Sequence, residues 1–148
     1  MTEEQYITAL KNNPHGVRNI PNPTEEMQLV CVEQNGMLLQ YIKNPTDRVI
    51  ETALAQSPRA IQYVDNPSDE LLISLVKQDW AVLEYIQHPS DEVVRIALDQ
   101  SGWAIRYITN PSEELQLRAV ETQYDALQYI ANPSERVQMA AVKSNYLA

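Results

Sequence analysis

A chain of 148 residues that is 44% apolar is of ordinary size for one domain and carries enough apolar surface for a packed core. Its net charge of −9, from 20 carboxylates against 11 Lys and Arg, speaks against free nucleic acid or an anionic membrane as the main partner, because phosphate binding needs clustered cations. The start, MTEEQY, lacks the basic-then-apolar order of a secretion signal, and the longest apolar run, near Leu71 to Val76, is far too short to span a bilayer, so a soluble, cytoplasmic protein is expected. Cys31 is the single cysteine, which leaves no internal disulfide and reads as a small core residue.

The sequence repeats. Asn-Pro recurs at 22, 44, 66, 110 and 132, with His88-Pro89 at the remaining place, and a tyrosine follows nineteen residues later at Tyr41, Tyr63, Tyr85, Tyr107 and Tyr129. A fixed period of 22 residues without insertion is the mark of a solenoid, in which each unit buries its apolar face against its neighbours. The expected fold is all-α: an α-solenoid of seven tandem helical-hairpin repeats in a single domain, with copies at 1–21, 22–43, 44–65, 66–87, 88–109, 110–131 and a truncated 132–148.

In chain order, the first copy keeps the register but has Gln5 at an inner position and Gly16 and Asn19 in place of an apolar residue and the tyrosine, the look of a capping repeat. From Asn22 onward, the residue before each proline is expected to leave the helical region and stop the preceding helix. A Ser or Thr then caps the next helix, and acidic pairs such as Glu25-Glu26, Asp69-Glu70, Asp91-Glu92 and Glu113-Glu114 fill its first turn, where carboxylates meet exposed N–H groups. The first helix is predicted at about ten residues, with Leu115, Ala119 and Val120 as the inner stripe of the sixth copy. Gly36, Pro58 and Gly102 mark a break, since they are costly inside one long helix. A second helix of about seven residues follows, turning Ala126, Leu127 and Ile130 inward and Gln128 outward.

Across copies, large and small residues alternate at three inner positions. These are Met27, Val49, Leu71, Val93, Leu115 and Val137, then Val32, Leu54, Val76, Leu98 and Val120, then Leu39, Ile61, Leu83, Ile105 and Leu127. The pattern predicts two slightly different hairpin packings, or duplication of a 44-residue unit. An outward position, Leu29, Glu51, Ile73, Arg95, Leu117 and Met139, largely follows the same rhythm. The five tyrosines are expected to stack as a ladder with buried rings. In the seventh copy Met139, Val142, Tyr146 and Leu147 are expected to form a two-fold homodimer contact, covering apolar surface that no polar cap follows.

At the Asn-Pro-(Ser or Thr)-(Glu or Asp) corner and the recurrent Ala-Ile-x-Tyr-Ile, the chain from about Asn22 resembles short helical-hairpin repeat proteins of unknown function from phages and bacteria. The resemblance implies an α-solenoid related in style to HEAT and leucine-rich-repeat-variant proteins. It also implies a phage or mobile-element origin and, with it, an intracellular inhibitor of a host defence protein such as a CRISPR effector.

Chemistry is sparse. His15 and His88 have no other ligand-type residue at metal spacing, the glycines form no phosphate loop, and no hydrolase nucleophile motif occurs, so no metal, no cofactor and no enzymatic activity are expected. Residues that break the period without being needed for stacking are the candidate contacts. Trp80 and Tyr124 replace Gly or Pro at the junction and Trp103 stands one place on. With Arg106, Arg59, Gln62 and Glu84 they predict a protein-binding surface lined by the second helices, aromatics and Arg being the usual anchors. The alternative is an acidic nucleic-acid mimic, whose carboxylate rows would block a basic channel of another protein.

Overall fold

The structure, a computed structural model, describes residues 1–147, Leu147 by its backbone alone. The described residues are helical without a strand and fall into two compact units, Met1–Asn66 and Pro67–Ala148. Unit 1 alternates the α-helices α1 (Glu3–Asn12), α2 (Glu25–Gln34) and α3 (Asp47–Gln56) with the 3-10 helices η1 (Pro14–Asn19), η2 (Gly36–Tyr41) and η3 (Pro58–Tyr63). Unit 2 continues with α4 (Asp69–Gln78), η4 (Trp80–Tyr85), α5 (Asp91–Gln100), η5 (Gly102–Tyr107), α6 (Glu113–Thr122), η6 (Tyr124–Tyr129) and α7 (Glu135–Leu147). Within each unit every α-helix packs on the next α-helix and every 3-10 helix on the next 3-10 helix.

The α-helix starts follow from side-chain chemistry. Thr24, Thr46, Ser68, Ser90 and Ser112 each have extended backbone, and each hydroxyl accepts the N–H three residues on, at 3.2–3.4 Å. A cap of this kind contributes about 1 kcal/mol. Gln5, polar where later copies are apolar, is exposed and closes a capping box with Thr2. The first copy nevertheless reaches the core: Leu10 and Val17 cluster with Met27, Cys31 and Leu38.

Four sequence expectations are corrected. The second helix is a six-residue 3-10 helix, because a segment this short gains little from α-helical bonds and its apolar residues Ile105 and Ile108, or Leu127 and Ile130, recur at the 3-10 period of three. The break is one extended residue, such as Asp79 or Ser101, that ends the α-helix and opens the 3-10 helix. The pre-proline residue is left-handed, with φ between 48° and 53° at Asn22, Asn44, Asn66, His88, Asn110 and Asn132, and the 3-10 helix has ended before it. Asn and His are among the few side chains that enter this region readily, which explains the residue choice. Leu29, read as outward, is buried, while the corresponding Met139 is exposed.

The inner positions behave as expected, with Val49, Val93, Val137, Val32, Val76, Val120, Leu39 and Ile105 at most 1% exposed. Leu71 and Leu127 are only half-buried. Packing is tightest where a 3-10 helix begins. A Cβ on Gly36 would lie 2.2 Å from the Ala53 carbonyl oxygen, and one on Gly102 2.1 Å from that of Ala119, so only glycine permits this approach.

Candidate functional site

The 3-10 geometry sorts side chains into three columns, because residues three apart eclipse one another. In η5 one column is Gly102, Ile105 and Ile108 against the core, a second is Ala104 and Tyr107, and the third, Trp103 and Arg106, is exposed. The matching column holds Ala81 and Glu84 in η4, Asp125 and Gln128 in η6, and Arg59 and Gln62 in η3 of unit 1, with Ala81 and Asp125 half-buried and the rest exposed. Trp80 and Tyr124 stand instead at the head of the core column, which separates them from Trp103.

Among the described residues of unit 2, Trp80, Trp103 and Arg106 make side-chain contacts with neighbouring 3-10 helices, whereas Tyr124 and Glu84 are not brought into them. Ser101, the junction residue of η5, accepts the Trp103 N–H at 3.3 Å and donates to Gln123 Oε1 at 2.6 Å, tying η5 to the start of η6. The Trp103 indole, 37% exposed, donates Nε1–H to Asp125 Oδ1 at 2.8 Å, a bond between equivalent positions of successive 3-10 helices. Trp80 is half-buried with its ring tilted 36° on Tyr107, the centroids 6.4 Å apart. The Arg106 guanidinium carbon lies 5.3 Å from the centroid of Tyr107 and 5.1 Å from that of Tyr129, within cation–π range of both. Tyr124 is 43% exposed, and Glu84 is exposed on η4.

The tyrosine rings are therefore not buried, as the ladder reading had them. Tyr41 and Tyr129 are exposed, and Tyr63, Tyr85 and Tyr107 half-buried, although the residue three places earlier in each column, such as Ala104 or Ala126, is fully buried. Arg59 and Gln62 belong to unit 1, where both are exposed and Gln62 Nε2 donates to the Arg59 carbonyl at 3.1 Å. Tyr107, Tyr129 and Asp125 were missed as site residues. A signal existed: residues 22 apart sit on neighbouring helices, and Asp125 follows Trp103 by one period.

No family model matches this chain, and no curated protein or solved structure does so either.

Other features are structural or repeated. Arg48 reaches Glu25 and Glu26, Arg95 pairs with Glu114, and Arg118 with Asp99, each bridging neighbouring α-helices. The hydrogen bonds that Arg118 donates to Asp99 raise the pKa of its guanidinium. Burial pushes the Cys31 thiol up to about 11, which suppresses thiolate chemistry. Among the described residues no group of three or more His, Cys, Asp or Glu could hold a metal ion, and no helix is long and apolar enough to cross a membrane. A groove runs beside the Asn-Pro corner in both units, lined by Ile42, Asn44 and Tyr63 in one and by Ile86, His88 and Tyr107 in the other, so it belongs to the period. On α7, Met139, Val142 and Tyr146 are exposed, while the side chain of Leu147 lies outside the described residues.

Proposed function

We propose that this protein is a non-enzymatic protein-binding scaffold, each unit a stretch of solenoid, and that the 3-10 face of unit 2 is its binding surface. The observation that supports it most is the run of aromatic and Arg side chains across η4, η5 and η6: Trp80 on Tyr107, Arg106 over Tyr107 and Tyr129, and Trp103 held by Asp125. These side chains are wholly or partly exposed and are oriented by one another, so little conformational entropy is lost when a partner covers them. Stacking of the hairpins does not need them, since η2 has Gly36, Met37 and Gln40 at the corresponding places.

The resemblance to phage repeat proteins makes a host defence protein the first partner class to try. The test is retention of host proteins on immobilised wild-type chain and on the Trp80→Ala/Trp103→Ala variant, alongside thermal melts of both. The reading expects the retained protein to be lost from the variant while its melting temperature stays near wild type. Equal retention by both would sink it.

The competing mimic reading draws on the exposed carboxylates at the α-helix starts, Asp69, Glu70, Asp91 and Glu92 among them. Their place directly after a cap gives them a structural role, and Glu114 is already paired with Arg95. A salt series separates the readings, because a carboxylate-row complex weakens steeply with ionic strength and an aromatic one hardly changes.

A further inference from the structure

Resting on that reading of the face, we infer that Arg106 is its anchor, and that it receives one carboxylate of a partner protein, an Asp or Glu side chain set among apolar residues. Arg106 differs from Arg95 and Arg118, the two arginines of α5 and α6, in what holds it. Arg95 and Arg118 lie on α-helices and are each paired with a carboxylate of the neighbouring helix. Arg106 makes no ion pair among the described residues of a chain that carries 20 carboxylates. Asp125, in the matching column of the next 3-10 helix, is taken by the Trp103 indole instead.

What positions Arg106 is a pair of rings, at 5.3 and 5.1 Å from its guanidinium carbon. Contacts with ring faces use the flat side of a guanidinium and leave its N–H edge free, and that edge matches the two oxygens of a carboxylate. Trp103 shares the column of Arg106, and Trp80 leans on one of its two rings, so apolar surface flanks the fork. Burying that surface excludes water from the ion pair and strengthens it. The surrounding charge decides which anion fits. Glu84 occupies the place of Arg106 one period earlier and the chain carries −9 overall, so a run of phosphates is repelled far more than a single carboxylate.

The test uses the full chain and immobilised capped nonapeptide libraries, with the central residue fixed as Glu, Asp, Gln, Asn or phosphoserine and the flanks drawn from Leu, Phe, Tyr, Pro and Ala. The Glu and Asp libraries should retain the protein about tenfold better than Gln and Asn, as expected for a charge-assisted bidentate contact. Arg106→Gln should remove that preference with its melting temperature unchanged, and Arg106→Lys, which keeps the charge but not the fork, should keep only part of it. Equal retention on Glu and Gln, retention on none, a preference for phosphoserine over Glu, or an acid preference that survives Arg106→Gln would each overturn the inference. Equal retention that is lost in Trp80→Ala/Trp103→Ala would sink the anchor and leave the binding face standing, whereas equal retention that this variant keeps would sink both.

Discussion

At the scale of single residues, the period is kept by a backbone requirement. Each corner asparagine occupies the left-handed region, where a Cβ-bearing side chain other than Asn, Asp or His is disfavoured by about 1–2 kcal/mol. Asn110→Ala is accordingly expected to lower stability by about 1 kcal/mol, with Asn110→Gly close to neutral. Urea denaturation of the two variants checks this, and an alanine variant as stable as wild type would show that the corner tolerates any residue. The need for Asn at this place was legible in the sequence but its cause was not. Proline marked the corner but not the helix end, which comes earlier, and nothing in the pattern separated an extended pre-proline residue from a left-handed one. His88 was legible only as a lone histidine, and its corner role appears with its φ of 52°.

At the scale of elements, α1 to α6 have the expected ten residues, because cap, acidic first turn and inner stripe agree with one another, while α7 runs on for 13 through the place where a second helix was expected to begin. The second segments were read as short α-helices, since apolar spacing over so few residues fits either period. The tyrosine row was misplaced as well: Tyr107, at the end of its 3-10 helix, keeps its ring partly exposed and available to hold Arg106. The same geometry explains why Trp103, one place beyond the junction, reaches the exposed column and Asp125 while Trp80 does not. Junction glycines carry a further prediction. Gly102→Ala forces a Cβ to within 2.1 Å of the Ala119 carbonyl oxygen, so η5 and α6 must move apart. The expected cost is about 1–3 kcal/mol, of the size seen for overpacking. Gly16, whose Cβ would meet only the Leu10 side chain at 3.6 Å, should accept alanine without loss. Thermal melts of the two variants compare them, and equal melting temperatures would refute the close approach.

At the scale of the molecule, the period made the all-helical architecture and the stacking of neighbours legible, while what the surface binds depends on contacts between copies that a list of inner positions omits. The expected homodimer through α7 has its own check. Met139, Val142 and Tyr146 are exposed apolar side chains on one helix, and sedimentation at micromolar concentration should show a dimer that Met139→Glu with Val142→Glu dissociates. A monomer at every concentration would end that expectation. The binding face is tested most directly by hydrogen exchange of the wild-type chain with and without its captured partner. Protection is expected across Trp80–Tyr85, Gly102–Tyr107 and Tyr124–Tyr129, with the α-helix starts unchanged. Protection confined to the acidic starts of α4 to α7, with η4 to η6 exchanging as in the free chain, would contradict the account and favour the carboxylate-row mimic.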